Sequence, residues 1–190
     1  VKWSDVNPKW PNEKLVLFGP GADSGTFDYF TDAINGKEKA QRGDFTASED
    51  DNVLVQGVSR DKHALGYFGF AYYIENKDKL KAVPVVGKSG KAVMPSLESV
   101  MDGTYQPLAR PIFIYVSEKS MAKPEVRNFI EFYMQNATAL VKEVGYVPLT
   151  KQNYDLALKN FKNKKLGTGY GGHPQVGVKV DDLLAREATL

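Results

Sequence analysis

Cysteine is absent from the 190-residue sequence, which excludes disulfides, thiolate metal sites and cysteine nucleophiles. Only two histidines occur, so an imidazole-based zinc site would need carboxylates to complete it. The sequence also lacks any run of about 18 apolar residues, so it predicts no membrane-spanning helix. Charge is nearly balanced, with 25 Lys plus Arg against 23 Asp plus Glu. We therefore expect no metal site, no cofactor and no nucleic-acid partner.

The composition that remains is that of a globular protein, with 42% hydrophobic and 12% aromatic residues. Strand-like apolar runs at 15–18, 64–68, 83–86 and 110–116 alternate with helix-like stretches, and residues 37–47 are expected to form a loop. Helices are predicted to begin near Ser24, Ser48, Phe70, Ser96, Pro124, Thr150 and Val180. The alternation indicates an α/β fold. The run at 110–116 is the longest strand signal.

The clearest helix is predicted over residues 124–144. Pro124 suits its first turn and Gly145 suits the position just after its end. Its apolar residues trace one face, which we expect to be buried. They are Val126, Phe129, Ile130, Tyr133, Met134, Ala137, Leu140 and Val141.

The most informative stretch is residues 18–27, where a strand, a Gly-rich turn and a hydroxyl-bearing helix start follow one another. The first amides of a helix lack internal partners and can bind an oxyanion. Ser24 and Thr26 add hydroxyl donors, and Gly25 has no Cβ to keep the backbone from a ligand. A simpler alternative is that Ser24 or Thr26 only caps the helix. The stretch is neither a P-loop nor a nucleophile elbow.

A wider pattern favours the anion site. Residues 19–30, 42–52 and 64–73 closely resemble the periplasmic phosphate-binding protein family, and residues 145–149 and 175–178 resemble its C-terminal region. The resemblance covers essentially the whole chain in the right order. It implies a type II periplasmic-binding-protein-like fold, with one complete lobe plus the C-terminal part of the other. Residues 1–14 would end the first lobe, 15–115 would form the second lobe with the anion site, and 116–190 would return to the first.

The resemblance implies phosphate contacts from Ser24, Gly25 and Thr26. Many family members carry an arginine shortly before this tripeptide, but this sequence has Pro20, Gly21 and Ala22 there. Arg42 is the candidate substitute, because a guanidinium matches a phosphate edge in a bidentate manner.

Asp44 is expected to orient Arg42; alternatively, Arg42 is a solvated surface charge. Asp23 and Ser48 are further candidates near the site. Ser48 is more simply expected to cap the next helix, and Asp51 to complement that helix's dipole.

By resemblance, the chain belongs to the substrate-binding component of an ABC transporter, which captures inorganic phosphate between two lobes and delivers it to the permease. It would act without catalysis and with permease and ATPase subunits as partners. The expected location is extracytoplasmic, periplasmic or cell-surface, and two alternatives stay open: a free protein, or one lipid-anchored through an N-terminus that lies outside this sequence. The alternatives are a receptor for another tetrahedral oxyanion, a secreted phosphate-sensing or adhesion module, and an enzyme acting on phosphate esters.

Overall fold

A computed structural model describes residues 1–173 and 175–190. The chain is divided into two structural units, Val1–Val83 and Pro84–Leu190. Strands and helices alternate through the first unit, whereas the second is mainly helical. Over residues 1–173 and 175–190, no helix is both long enough and apolar enough to cross a membrane.

The first unit is built on a parallel sheet. Its elements are α1 (Trp3–Val6), β1 (Val16–Pro20), α2 (Gly25–Asn35), β2 (Thr46–Ser48), α3 (Asp51–Arg60), β3 (Ala64–Gly66) and α4 (Phe70–Glu75). The strand order is β2-β1-β3, and β1 is parallel to both neighbours. Because the strands run the same way and each is followed by a helix, α2, α3 and α4 all begin at the carboxyl edge of the sheet.

The core of this unit lies between the sheet and helices α2 and α3. Leu54 on α3 is fully buried and Phe27 on α2 is 7% exposed. Thr31 is also buried. Its hydroxyl group is satisfied there, since it donates to the Phe27 carbonyl at 2.8 Å and accepts from the Lys39 amide at 2.7 Å. Helix α2 ends at Gly36, whose φ of 70° supplies the left-handed turn that glycine adopts without steric cost.

The second unit contains a short antiparallel hairpin and a set of helices. Its elements are β4 (Val85–Val86), β5 (Ala92–Val93), α5 (Leu97–Met101), α6 (Glu118–Met121), α7 (Pro124–Glu143), α8 (Lys151–Lys162) and α9 (Val180–Glu187). Helix α8 packs against both α7 and α9. The side chain of Asn160, 7% exposed, donates to the Leu184 carbonyl at 3.3 Å and so joins α8 to α9.

The predicted strand at 110–116 is wrong. Residues 112–115 pair with no strand in the described parts of the chain, and Ile112 and Tyr115 are 73% and 80% exposed. An apolar run forms a strand only where another strand satisfies its backbone groups.

The predicted buried face of α7 is only partly right. Ile130 and Ala137 are 5% and 2% exposed, but Phe129 and Leu140 are 60% and 43% exposed. Gly145 does follow the helix, with a φ of 76°. The stripe of apolar residues on α7 is therefore wider than the surface that its neighbours in this unit cover.

Candidate functional site

The candidate anion site lies at the carboxyl edge of the parallel sheet. Pro20 at the end of β1 is in register with Ser48 at the end of β2, and the Gly21 amide donates to the Ser48 carbonyl at 3.1 Å. The turn at 21–24 and the start of α3 are thus neighbours. This edge, just beyond parallel strands, is where α/β proteins bind their ligands.

Helix α2 begins with the predicted Ser24-Gly25-Thr26 tripeptide. Ser24 is its N-cap, and the Ser24 hydroxyl oxygen accepts from the Thr26 amide at 3.2 Å. The Gly25 amide donates to no acceptor within the part of the chain that the structure describes. Gly25 is exposed, and Ser24 and Thr26 are half-buried. The capping alternative is therefore correct for Ser24, and it leaves the Gly25 amide and the hydroxyl hydrogens of Ser24 and Thr26 as donors at an open helix start.

The other two helix starts at this edge carry carboxylates. Asp50 caps α3 by accepting from the Asn52 amide at 2.9 Å, and Asp51 accepts from the Gly69 amide, just before α4, at 3.4 Å. Burial raises the pKa of the Asp51 carboxyl, the Gly69 amide opposes that rise, and the charge of Asp50 adds to it. Carboxylates thus cap α3 and accept from the N-cap amide of α4, whereas α2 has a neutral cap and carries its acidic residue, Asp28, within the first turn.

Ser48 does not cap the helix, contrary to prediction. It ends β2, and its hydroxyl accepts from the Asp50 amide at 3.1 Å. The prediction was wrong because β2 itself was taken for a loop. Once the strand extends through Ser48, the chain has to turn at 49–50, and the first residue able to cap α3 is Asp50.

Arg42 forms an exposed bidentate ion pair with Asp44. The Arg42 Nε donates to the Asp44 Oδ1 at 2.7 Å, and a second guanidinium nitrogen donates to Oδ2. The hydrogen bond from Arg42 lowers the pKa of Asp44 to about 2, and the same bond raises the pKa of Arg42. Asp44 thus holds the guanidinium, and that it orients Arg42 toward phosphate stays a prediction. Contact between Arg42 and phosphate stays a prediction.

The loop that carries Arg42 is held on both sides. On one side, Gln41 accepts a hydrogen bond of 2.5 Å from the Tyr67 hydroxyl. On the other side, the ring of Phe45 stacks on Phe27 of α2 with centroids 6.4 Å apart. The Tyr67 ring also stacks on Phe30 of α2, with centroids 3.8 Å apart. These contacts keep the Arg42 loop beside helix α2.

Glu49 also lies at this edge, although no motif in the sequence marks it. Its Oε1 accepts from the Asp23 amide at 3.2 Å. Asp23 therefore meets a carboxylate through its backbone, and its contribution to the anion site stays a prediction. The signal that could have identified Glu49 is its place directly after β2, since a residue that follows a strand next to β1 must lie near the turn that follows β1.

Comparisons with known proteins give consistent similarities. Residues 1–137 match the family model described as a PBP superfamily domain. The protein SphX of Synechococcus elongatus is 55% identical over 187 residues, which cover 98% of this chain and 55% of SphX. The phosphate-binding protein PstS of Staphylococcus haemolyticus is 39% identical over 163 residues, which cover 84% of this chain and 50% of PstS.

A solved structure is similar as well. The crystal structure of a possible phosphate binding protein from Planctomyces limnophilus superposes with a TM-score of 0.71 at 45% sequence identity, covering 87% of this chain and 59% of that one. The chain spans about half the length of the curated relatives it matches. These similarities confirm the resemblance predicted from residues 19–30, 42–52 and 64–73.

Proposed function

This chain belongs to the PBP superfamily, and from that membership we propose that it is part of a receptor that captures inorganic phosphate for an ABC importer. Its fold is α/β and of the type II periplasmic-binding-protein kind. The name of its relative from Staphylococcus haemolyticus states phosphate binding, and the similar structure from Planctomyces limnophilus is described as that of a possible phosphate binding protein. Those descriptions support inorganic phosphate as the ligand of this chain too.

The observation that carries the proposal is the open start of helix α2. At the sheet edge where three helices begin, carboxylates complement α3 and α4, whereas a neutral hydroxyl caps α2. An external anion therefore finds a neutral cap and a free Gly25 amide there, with Asp28 as the acidic residue of the first turn of α2. The proposed phosphate contacts are Ser24, Gly25 and Thr26, and Arg42 is the proposed cationic partner.

The rest of the proposal concerns the whole receptor. Residues 15–115 would form the lobe with the Ser-Gly-Thr site, while 1–14 and 116–190 would belong to a first lobe that is completed by further chain. Closure of the two lobes would then enclose phosphate and present it to permease and ATPase subunits. Such a receptor works outside the cytoplasm, in a periplasm or at the cell surface, with lipid anchoring as one means of retention.

We propose binding without catalysis. Ser24 carries the only hydroxyl within the turn at 21–24, and its oxygen accepts from a backbone amide. Among the described residues, no imidazole or carboxylate accepts a hydrogen bond from the Ser24 hydroxyl to activate it. The arrangement suits an anion that is held and released unchanged, and a chromogenic phosphate ester should remain uncleaved.

A titration with two anions tests the proposal. Because one lobe alone supplies only part of the contacts, we expect the 190-residue chain to bind phosphate weakly and to distinguish it poorly from sulfate. Isothermal titration calorimetry of the chain with each anion measures both quantities. Submicromolar, phosphate-selective binding would mean that the site lies elsewhere in the chain, and no binding of either anion at millimolar concentration would count against the receptor function.

A substitution tests the role of Arg42. In a protein that carries both lobes, we expect Arg42→Ala to weaken phosphate binding by roughly 10-fold or more, as for a charged hydrogen bond. The same change should raise the pKa of Asp44 from about 2 toward roughly 3.9, its unperturbed value. Carboxyl NMR across pH 1–6 follows Asp44, and calorimetry follows phosphate.

The two readouts separate the two roles of Arg42. A raised pKa of Asp44 with unchanged phosphate affinity would return Arg42 to the role of a surface charge.

The ion pair also makes folding stability depend on pH, because the pKa of Asp44 is lower in the folded state than in the unfolded state. The ion pair stabilises the fold above the unfolded pKa of Asp44, and that contribution disappears as the pH falls through about 2.

A further inference from the structure

The turn between β1 and α2 is in contact with a carboxylate from another loop. Glu49 Oε1 accepts a hydrogen bond from the Asp23 amide at 3.2 Å. The same oxygen would lie 1.9 Å from a Cβ placed on Gly21, and the Glu49 Cδ would lie 2.5 Å from it. The carboxylate therefore rests against Gly21 while it bonds to Asp23. It touches the first and the third residue of the turn.

This turn leads directly into the first amides of α2. The Ser24 amide donates to the Gly21 carbonyl at 3.1 Å, which closes the turn, and the Ser24 carbonyl then accepts the Asp28 amide at 3.2 Å in the first helical turn. The position of Gly21 thus governs the position of Ser24, and Ser24 governs the helix start. A contact that holds Gly21 and Asp23 also fixes the direction in which the Gly25 amide points.

We propose that Glu49 is a positioning residue for the anion site, which braces the turn at 21–24 so that the start of α2 faces the ligand. This inference rests on the proposed function, because it assigns Glu49 to the same site. Gly21 is part of this contact, because a larger residue at position 21 would displace the Glu49 carboxylate. Its backbone φ lies outside the left-handed region, and the Glu49 carboxylate occupies the place that a Cβ would take.

The brace, that is, the Glu49 carboxylate in contact with the turn at 21–24, is negatively charged, and this charge opposes anion binding. A negative charge close to a bound oxyanion repels it, whereas the hydrogen bond to Asp23 orders the amides that attract it. The two effects of Glu49 can be separated by substitution. Glutamine keeps a side-chain carbonyl oxygen for the Asp23 amide and removes the charge, whereas alanine removes both.

The test uses the 190-residue chain in four variants: Glu49→Ala, Glu49→Gln, Gly21→Ala and the double variant Gly21→Ala/Glu49→Ala. Glu38→Ala serves as the matched control, because it removes an exposed glutamate from the same unit without touching the turn. Two quantities are measured: amide hydrogen exchange of residues 21–27 without ligand, and affinity for inorganic phosphate by NMR titration.

We expect Glu49→Ala to speed exchange at 23–26 and to weaken phosphate binding about 3- to 10-fold, the range of a typical net hydrogen bond, because loss of the repelling charge offsets part of the effect. Gly21→Ala should act in the same direction. In the Glu49→Ala background the Gly21 change should add little, because its nearest obstacle is then gone. Glu49→Gln should exchange like the wild type and bind phosphate at least as tightly.

Three results would overturn the proposal: unchanged exchange in Glu49→Ala, a full additive cost of Gly21→Ala in the double variant, or equal losses in Glu49→Gln and Glu49→Ala. The exchange measurement needs no ligand, so failure of the phosphate site is distinguishable. A wild-type chain that binds no phosphate but shows the expected exchange pattern supports the brace and rejects phosphate as the ligand.

Discussion

Ser24→Asp is expected to abolish phosphate binding while leaving helix α2 capped. Aspartate is as good an N-cap as serine, so its side chain should accept the Thr26 amide as the Ser24 hydroxyl does. The new carboxylate would, however, complement the dipole of α2 and repel an oxyanion within about 4 Å. Repulsion at that distance in partly solvated protein predicts an affinity loss of roughly 100-fold or more. Calorimetric titration with phosphate measures the loss, and thermal unfolding reports whether the cap survives.

The matched control makes the opposite change at another helix, where a charged cap is replaced by a neutral one. Asp50→Ser gives α3 the neutral cap that α2 has now, and serine can still accept from the Asn52 amide. We expect this variant to bind phosphate without loss. Phosphate binding by Ser24→Asp at wild-type affinity would show that the start of α2 is not the anion site. A large drop in its unfolding temperature would instead indicate that the new side chain fails to cap the helix.

The β1–turn–α2 segment could be predicted because its determinants are local. An apolar run, a Gly-rich turn and a cap residue are adjacent in sequence, and Gly36 ends the helix by its own conformation. Helix α8 was predicted for a similar reason, since Thr150 caps it, and α9 spans Val180–Glu187 as predicted, although no side chain caps it. N-cap residues and helical periodicity are sufficient to predict an element whose formation does not depend on a partner distant in the sequence.

The remainder of the site depends on pairing between distant segments. Strand β2 has only three residues, and it exists because β1 offers Phe18, Gly19 and Pro20 as partners in register. Its polar surroundings favoured a loop. The misassignment of β2 then moved the predicted cap of α3 to Ser48 and concealed Glu49, because both assignments depend on where β2 ends.

The prediction for residues 110–116 was wrong in the opposite way: a strand was predicted there and none forms. Its residues have the strand propensity that β2 lacks, yet no strand in the described ranges pairs with residues 112–115. In α7 the helix itself was predictable, but the face that is buried is set by packing against α6 and α8. Phe129 is 60% exposed for that reason, although its position in the stripe is as apolar as that of the buried Ile130.

Gly57→Ala is expected to destabilise the first unit, against the usual effect of this substitution within a helix. Replacing an interior helical glycine by alanine normally stabilises by about 1 kcal/mol. Here a Cβ at Gly57 would lie 2.2 Å from Phe18 Cε1 and 2.6 Å from Cδ1. Phe18 lies in β1 and is paired on both sides, with Thr46 and with Gly66, so its backbone cannot retreat. We expect a net loss of about 1–3 kcal/mol in the free energy of unfolding, as for other overpacked cores.

Urea denaturation of the 190-residue chain measures this loss, and two further variants identify its cause. Gly43→Ala is the control, since a Cβ there meets nothing within 4 Å, and it should change stability little. Phe18→Leu in the Gly57→Ala background should recover part of the loss, because the shorter side chain frees the space that the methyl group needs. A Gly57→Ala chain more stable than the wild type would mean that α3 can shift away from β1. The short Gly57–Phe18 approach would then not be what sets the distance between helix and sheet.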